Sequence, residues 1–434
     1  MFGYYVELAV GSLRRSKALT ALMILAVALG IGASITTLTV LHVLSGDPLP
    51  GRSAAVFMPQ LDPRDKERDD HPDELPTQVT WTDGMNLLHA ARARHQALMT
   101  AGATPVQSDD LAIDPFIVPA RYTTADFFPM FAVPFRYGQG WTAADDESRA
   151  RVAVIGAELN ERLFHGENSV GRTLHVDGAD LRVIGVLKPW RAVPHFYDLG
   201  NGHYSAGEEV FVPLGTSRAA RLKRDGTLEC WGNKSSDEAG METANCAWLQ
   251  FWVQLDDPAA VASYRRFLDG YVHEQVALGR FERPARSALP NVMQYLDEQR
   301  VVPGDVRLQV WLALGFFAVC LVNTVGLMLA KFMRRAGEVG IRRALGASRR
   351  SVFAQLLTEA AVIGLAGGIG GLVVASIGLA MVRMQPAPSS GLARLDLTML
   401  GATFVISIAA TLAAGLIPAW RTCRIAPALQ LKSQ

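Results

Sequence analysis

Hydrophobic positions are spread along this chain in two different ways. Near the N-terminus and through the last third they form unbroken runs without Asp, Glu, Lys or Arg: Ala18–Gly46, Leu308–Ala330, Ala360–Val382 and Leu397–Trp420. The last three hold 23 or 24 residues, about 35 Å as helix at ~1.5 Å per residue, enough to cross a hydrocarbon core of about 30 Å. Trp311 and Trp420 stand at span edges, where amphipathic rings prefer to lie. Buried core helices of a large soluble protein are the alternative. Four such runs flanked by basic clusters argue against it.

Between these runs the pattern shortens to that of mixed α/β structure. Arg151–Gly156 is a β-branched strand, and Ala157–Phe164 has helical spacing. Thr173–Val176 and Leu181–Val186 flank Asp177-Gly178, a hairpin signal. Glu209–Pro213 reads as another strand. Ala247–Leu255 alternates, with Leu249, Phe251, Val253 and Leu255 on one face and Trp248, Gln250, Trp252 and Gln254 on the other. Val261–Gly279 predicts an amphipathic helix, and Asp62–Asp70 a solvated, charged loop in which an acidic metal site is a weak alternative. The expected fold is an α-helical membrane protein: four transmembrane helices plus a large mixed α/β periplasmic domain inserted between helices 1 and 2.

Half of the 434 residues are hydrophobic and the mean hydropathy lies slightly above zero, in keeping with that mixture. The net charge of +1 hides an asymmetry. Gly46–Asp305 carries 26 Lys/Arg against 37 Asp/Glu, whereas the flanking segments 1–17, 331–359 and 421–434 hold 13 Lys/Arg and only Glu7, Glu338 and Glu359 as acids. By the positive-inside rule both termini and the 331–350 connector belong in the cytoplasm. Arg14, Arg15 and Lys17 resemble a signal-peptide n-region, but the apolar run is too long, so it reads as an uncleaved anchor.

The chain is thereby divided into an interfacial amphipathic helix over 1–17, its Tyr4–Leu13 stretch lying on the membrane, and transmembrane helix 1 over 18–46. A periplasmic core over 47–305, expected as two subdomains, leads to transmembrane helix 2 over 306–330. The cytoplasmic connector follows over 331–353, then transmembrane helix 3 over 354–382, a short periplasmic loop over 383–396, transmembrane helix 4 over 397–420 and a cytoplasmic tail over 421–434.

Candidate chemistry is sparse. The spans hold no ionisable side chain but His42, which argues against a proton-coupled carrier or channel. Asn323 is their main polar exception and suggests an interhelical hydrogen bond. Gly364/Gly368 and Gly367/Gly371 have the small-xxx-small spacing of close helix packing, within one chain or between two. Cys230 and Cys246 bracket a polar loop that a disulfide would staple in an oxidising compartment. Cys320 and Cys423 are expected as free thiols. His195, His203 and Asp198 share a loop, yet their spacing fits no zinc signature and surface histidines are the simpler reading. No metal site is expected. No phosphate-binding Gly-x-x-x-x-Gly-Lys-Ser/Thr or hydrolase motif is seen, so ATP, if it drives this chain, is bound by a partner, and no cofactor is expected on the chain itself.

The connector carries the strongest signal: Glu338-Val-Gly-Ile-Arg-Arg-Ala-Leu-Gly-Ala-Ser-Arg-Arg350. On composition alone it could be a positive-inside loop that only sets topology. Its residues closely resemble the signature of the FtsX/MacB-like permease family of ABC transporters. Tyr122–Phe128, Arg151–Gly156 through Leu163-Phe164, Ser169–Leu174 and Val183–Leu187 are similar to that family's periplasmic core, and Leu13–Lys17 entering the first span fits too.

The resemblance implies a dimer, of one chain or with a sister permease, in a Gram-negative inner membrane, with cytoplasmic ATPase subunits using ATP and Mg docked under the connector. Glu338, Gly340, Arg342, Arg343, Gly346 and Ala347 would form the coupling region. Closure of the ATPases would be passed through the spans to the periplasmic domain by mechanotransmission. The chain lacks the fused ATPase of MacB, so a separate one is implied, with a periplasmic adaptor and outer-membrane channel as further partners. The expected function is the permease subunit of an efflux or extraction complex, not an enzyme by itself. The alternative is a mechanical relay to a periplasmic cell-wall hydrolase, and a third reading is a membrane receptor without an ATPase.

Overall fold

The computed structural model describes residues 11–12, 15–66, 74–108, 113–231, 239–384 and 397–424. The predicted surface helix over Tyr4–Leu13 apart from Gly11 and Ser12, residues 385–396 of the following loop, the tail beyond 424 and residues 232–238 between Cys230 and Cys246 lie outside the described residues. Contacts divide the chain into a helical unit, Met1–Ser45 with Val302–Gln434, and an α/β unit, Gly46–Val301.

In chain order, helix α1 (Lys17–Leu44) precedes strand β1 (Val56–Phe57), helix α2 (Trp81–Ala90), β2 (His95–Gln107), β3 (Phe116–Thr123) and β4 (Phe135–Gly138). Next come β5 (Val152–Ile155), α3 (Ala157–Phe164), β6 (Thr173–Val176), β7 (Ala179–Leu187), β8 (Val210–Pro213) and β9 (Cys246–Gln254). Helices α4 (Pro258–Ala277) and α5 (Val292–Glu298) close the α/β unit. The helical unit resumes with α6 (Gly304–Arg334), α7 (Ala336–Ala344), α8 (Arg349–Arg383) and α9 (Leu397–Arg424).

The α/β unit is built on one mixed sheet in the order β1-β9-β2-β3-β8-β5-β7-β4. β9, β2 and β3 run antiparallel, while β3/β8 and β5/β7 are parallel pairs. Asp177 and Gly178 both take positive φ, 46° and 79°, the geometry a two-residue hairpin between β6 and β7 needs. The alternation in β9 predicts one polar face, yet both faces are buried. The second face is covered too: Trp252 packs edge-on against Phe196 and Tyr295, and Gln250 Nε2 donates to Asp198 Oδ1 at 3.0 Å. Cys230 and Cys246 are joined as a disulfide with S–S 2.02 Å.

Two further expectations for this unit fail. Asp62 and Arg64 are buried rather than solvated, and Arg64 Nε lies 2.7 Å from Asp62 Oδ1. Burial pushes the Asp62 carboxyl up, but the Arg64 guanidinium overrides it and holds the group below its usual range. His195 is not a surface histidine either; it is 2% exposed within a cluster of charged groups.

In the helical unit α1, α6, α8 and part of α9 (Thr403–Thr422) are each long and apolar enough to cross a membrane. α6 and α8 run well past the charge-free stretches, α6 through Lys331 and Arg334 and α8 from Arg349 through Glu359. The glycines of α8 serve two neighbours inside the chain. A Cβ at Gly364 or Gly368 would meet Thr411 or Ser407 of α9, and one at Gly367 or Gly371 would meet Val27 or Ile31 of α1. Among the described residues Asn323 makes no interhelical bond; it is exposed on the outer face of α6, while its neighbour Thr324 is buried and donates to the Cys320 carbonyl at 2.7 Å.

Candidate functional site

The connector folds as a short helix set between two turns. Arg335, at φ −106° and ψ 11°, breaks the helix that ends in Arg334, and α7 starts at once. At its far end the Ala347 N–H donates to the Arg342 carbonyl (3.0 Å) and the Gly346 N–H to the Arg343 carbonyl (3.2 Å). This paired closure places Gly346 at φ +101°, which a residue with a Cβ resists. Two residues on, the Ser348 side chain accepts from the Ser351 N–H at 3.2 Å and caps α8. Gly346 and Ala347, expected in the coupling region, are thus the residues that turn the chain between α7 and α8.

The faces of α7 divide cleanly. Val339 packs on the cluster of Met328, Phe332, Val352 and Leu356, and Gly340 is buried. Ile341 and Leu345 point the other way, 53% and 83% exposed, one turn apart. Arg342 reaches back across the turn, its Nη1 donating to Gln355 Oε1 of α8 at 3.1 Å. Val339 therefore anchors the helix, while Ile341 and Leu345 form its free apolar surface.

Beneath α7 lies a charged cluster of which the expected site held only Glu338. Glu359 of α8 is fully buried and ion-pairs with Lys331 of α6, itself 1% exposed. Ser12 Oγ donates to Glu359 Oε1 at 2.5 Å, and Arg335 donates to Ser12. Arg335 Nη1 is 3.5 Å from Glu359 Oε2, and its Nη2 is 3.1 Å from Glu338 Oε2. Arg15 completes the chain at 3.2 Å from Glu338 Oε1, in an exposed pair. The connector is thus bonded through Arg335 to the buried ends of two spans and to the segment ahead of α1. The sequence signal for this cluster was present but slight: Glu359 is one of the few acids beside the spans.

A second buried cluster fixes the middle of the α/β unit. Arg121 Nη1 lies 2.8 Å from Asp198 Oδ2, its Nε donates to Glu208 Oε1 at 2.9 Å, and its Cζ sits 5.1 Å from the Tyr197 ring centre. His195 Nε2 is 3.1 Å from Glu208 Oε1, and the Tyr197 hydroxyl donates to Glu208 Oε2 at 2.7 Å. Burial pushes the Glu208 carboxyl up, but Arg121 and His195 outweigh it and hold the group far below the ordinary carboxylate range. Burial also raises the Tyr197 phenol, and Glu208 beside it adds to the rise. Every member has a partner within the cluster, the arrangement of a structural tie. Among the described residues no group of three or more His, Cys, Asp or Glu is placed to hold a metal ion.

The MacB-like periplasmic core domain family matches residues 20–269, and the FtsX-like permease C-terminal family matches residues 310–427. The macrolide export ATP-binding/permease protein MacB of Rhodospirillum rubrum is 26% identical over 446 residues, covering all of this chain and 61% of that protein. The pyoverdine export ATP-binding/permease protein PvdT of Pseudomonas aeruginosa is 22% identical over 310 residues, 71% of this chain and 41% of that protein. The chain spans less than two thirds of the length of these relatives. The crystal structure of the periplasmic region of MacB from Actinobacillus actinomycetemcomitans aligns at 12% identity with a TM-score of 0.38, over 59% of this chain and 97% of that one, a likeness too distant to carry an argument. Four membrane-length helices, an α/β domain between the first and second, and a family match over each region place this chain in the MacB/FtsX-like permease family of ABC transporters.

Proposed function

We propose that this chain is the permease subunit of an ATP-driven export or extraction complex. A cytoplasmic ABC ATPase supplied by a partner docks on α7, and its closure is passed through the spans to the α/β unit on the periplasmic side. The observation that carries this is the build of the connector. α7 offers Ile341 and Leu345 outward, with Arg342 and Arg343 beside them, while Arg335 ties its base to the buried Lys331–Glu359 pair. A helix pressed from outside and bonded at its root to two spans turns a local push into a movement of both.

A second copy, or a sister permease, would pack on the outer face of α6. Asn323 stands exposed there in mid-span beside Val319 and Val322, and Gly315 and Gly326 face open space on the same side. A polar amide facing lipid is unfavourable, and small residues let a second helix approach. The basic flanks support a reading in which the connector and both termini lie in the cytoplasm, at an inner membrane. An adaptor and outer-membrane channel belong to the same reading as periplasmic partners.

The test is affinity purification from native membranes in mild detergent, with vanadate-sensitive ATP hydrolysis assayed on what co-purifies. An ATPase retained by the wild type and lost with Arg342→Glu/Arg343→Glu supports the reading. If no ATPase is retained even after cross-linking, the reading fails. Deletion separates export from a relay to a cell-wall hydrolase: changed sensitivity to a toxic compound marks the first, chained or undivided cells the second.

A further inference from the structure

The buried cluster around Arg121, His195 and Glu208 continues toward the surface along the loop between β7 and β8. There the His195 N–H donates to the His203 carbonyl at 2.8 Å and holds the two sides of the loop together. Gly202 takes φ +104°, and the Ser205 N–H turns back onto its carbonyl at 3.3 Å. This turn brings Ser205 Oγ to 2.8 Å from His195 Nδ1, while His195 Nε2 lies 3.1 Å from Glu208 Oε1. His195 and Glu208 are buried, whereas Ser205 is half-buried beside the exposed Ala206.

The direction of these hydrogen bonds follows from charge. The Glu208 carboxylate, held ionised beside Arg121, can only accept. His195 therefore carries a proton on Nε2, and in the neutral ring the Nδ1 lone pair faces the Ser205 hydroxyl. A serine hydroxyl on a histidine that a buried carboxylate orients is the arrangement that activates serine nucleophiles, and it is recognised by geometry rather than by position in the sequence. The two ring nitrogens exchange roles relative to the serine-protease triad, which leaves the path of the proton unchanged. Arg191, whose Nη2 donates to the Tyr204 carbonyl, brings a cation to the residue next to Ser205, and a cation there favours a developing oxyanion.

We propose that Ser205 is a reactive serine, a site of covalent modification that takes the acyl group of a small activated ester. Ser205 Oγ forms a bond to the acyl carbon, the ester C–O bond breaks, and the alcohol leaves with the electron pair of that bond. The serine proton passes to His195 Nδ1 and from there to the leaving oxygen, while Glu208 balances the imidazolium formed in between. The acylated serine no longer donates to His195, so modification severs the loop from the buried cluster. This site is independent of the connector and of any ATPase.

The test treats the full chain in phosphatidylcholine nanodiscs with p-nitrophenyl acetate, with empty nanodiscs as blank. Nitrophenolate release is read by absorbance and the acetylated positions by peptide mass spectrometry. Ser205 should be acetylated at least about 100-fold faster than other serines, the scale of general-base assistance. Its rate should rise with pH to a plateau, because the base works only as the neutral ring. Ser205→Ala should remove the fast phase while the melting temperature stays near wild type. His195→Gln, checked for folding by near-UV circular dichroism, should slow acetylation of Ser205 by about 100-fold; if that variant does not fold, the wild-type rate and its pH profile decide. Acetylation of Ser205 no faster than of other serines, a wild-type rate that climbs with hydroxide without a plateau, or a folded His195→Gln variant as reactive as wild type would overturn the proposal.

Discussion

Lys331 and Glu359 form an ion pair between α6 and α8 in which each side chain is 1% exposed. Charges this deep are costly to bring out of water, and removing one partner leaves the other uncompensated, typically a loss of about 3–5 kcal/mol. Lys331→Met and Glu359→Gln should each lower the thermal midpoint of the full chain in nanodiscs, and the Lys331→Met/Glu359→Leu double variant should recover part of the loss. Strictly additive losses would mean that the two residues do not depend on each other.

Gly346 is a turn residue before it is a contact residue. Its φ of +101° should make Gly346→Ala cost about 1–2 kcal/mol, with Gly346→Asn milder. Because the turn sets where α7 stands, ATPase retention should fall in the order Gly, Asn, Ala. Equal retention by all three would place Gly346 outside the coupling path.

Arg121→Met should destabilise the α/β unit by about 3–5 kcal/mol, because it leaves Asp198 and Glu208 buried without their cation. The pH dependence of Glu208 has a fixed sign. Its folded pKa is depressed, so the stability it adds is present above its ordinary value of 4.5 and drains away as pH falls below that. In acid unfolding followed by near-UV circular dichroism, the advantage of wild type over Glu208→Gln should shrink below that pH. A constant advantage would contradict the assignment.

Asp146 titrates with the opposite sense. Burial pushes its carboxyl from 3.8 up to about 6, although it accepts from the Ala125 N–H (2.7 Å) and the Trp141 Nε1–H (2.9 Å). A raised folded pKa gives stability that is full below 3.8 and lost as pH rises through about 6. Asp146→Asn should therefore gain on wild type between those limits, by at most about 3 kcal/mol at ~1.4 kcal/mol per pH unit. Carbon NMR should find one aspartate carboxyl titrating near 6; its absence would contradict the burial described here.

Much of this fold is legible in the sequence because bilayer thickness and strand alternation are strong local constraints. α3 follows the predicted Ala157–Phe164 to the residue, and the Asp177-Gly178 hairpin follows from backbone preference. Tertiary facts were not legible. Asp62 looked solvated because Arg64 and Arg283, the groups that neutralise it, pair with it only in the folded chain. Asn323 and Thr324 are adjacent, and only packing decides which faces inward. The connector's residues were readable as a signature, but the division of labour among them was not: Val339 anchors, Gly346 turns, and Ile341 and Leu345 remain outside. The Lys331–Glu359 pair was hidden because each residue sits just beyond a charge-free run, where it reads as an ordinary flank.

The most direct measurement is hydrogen–deuterium exchange on the complex with its co-purified ATPase, with and without ATP and vanadate, for wild type and Glu359→Gln. Transmission through the Glu359 cluster predicts a nucleotide-dependent change in exchange across the α/β unit of wild type. In Glu359→Gln that change should be lost while the ATPase stays bound. The same change in the variant, or none in wild type, would contradict it.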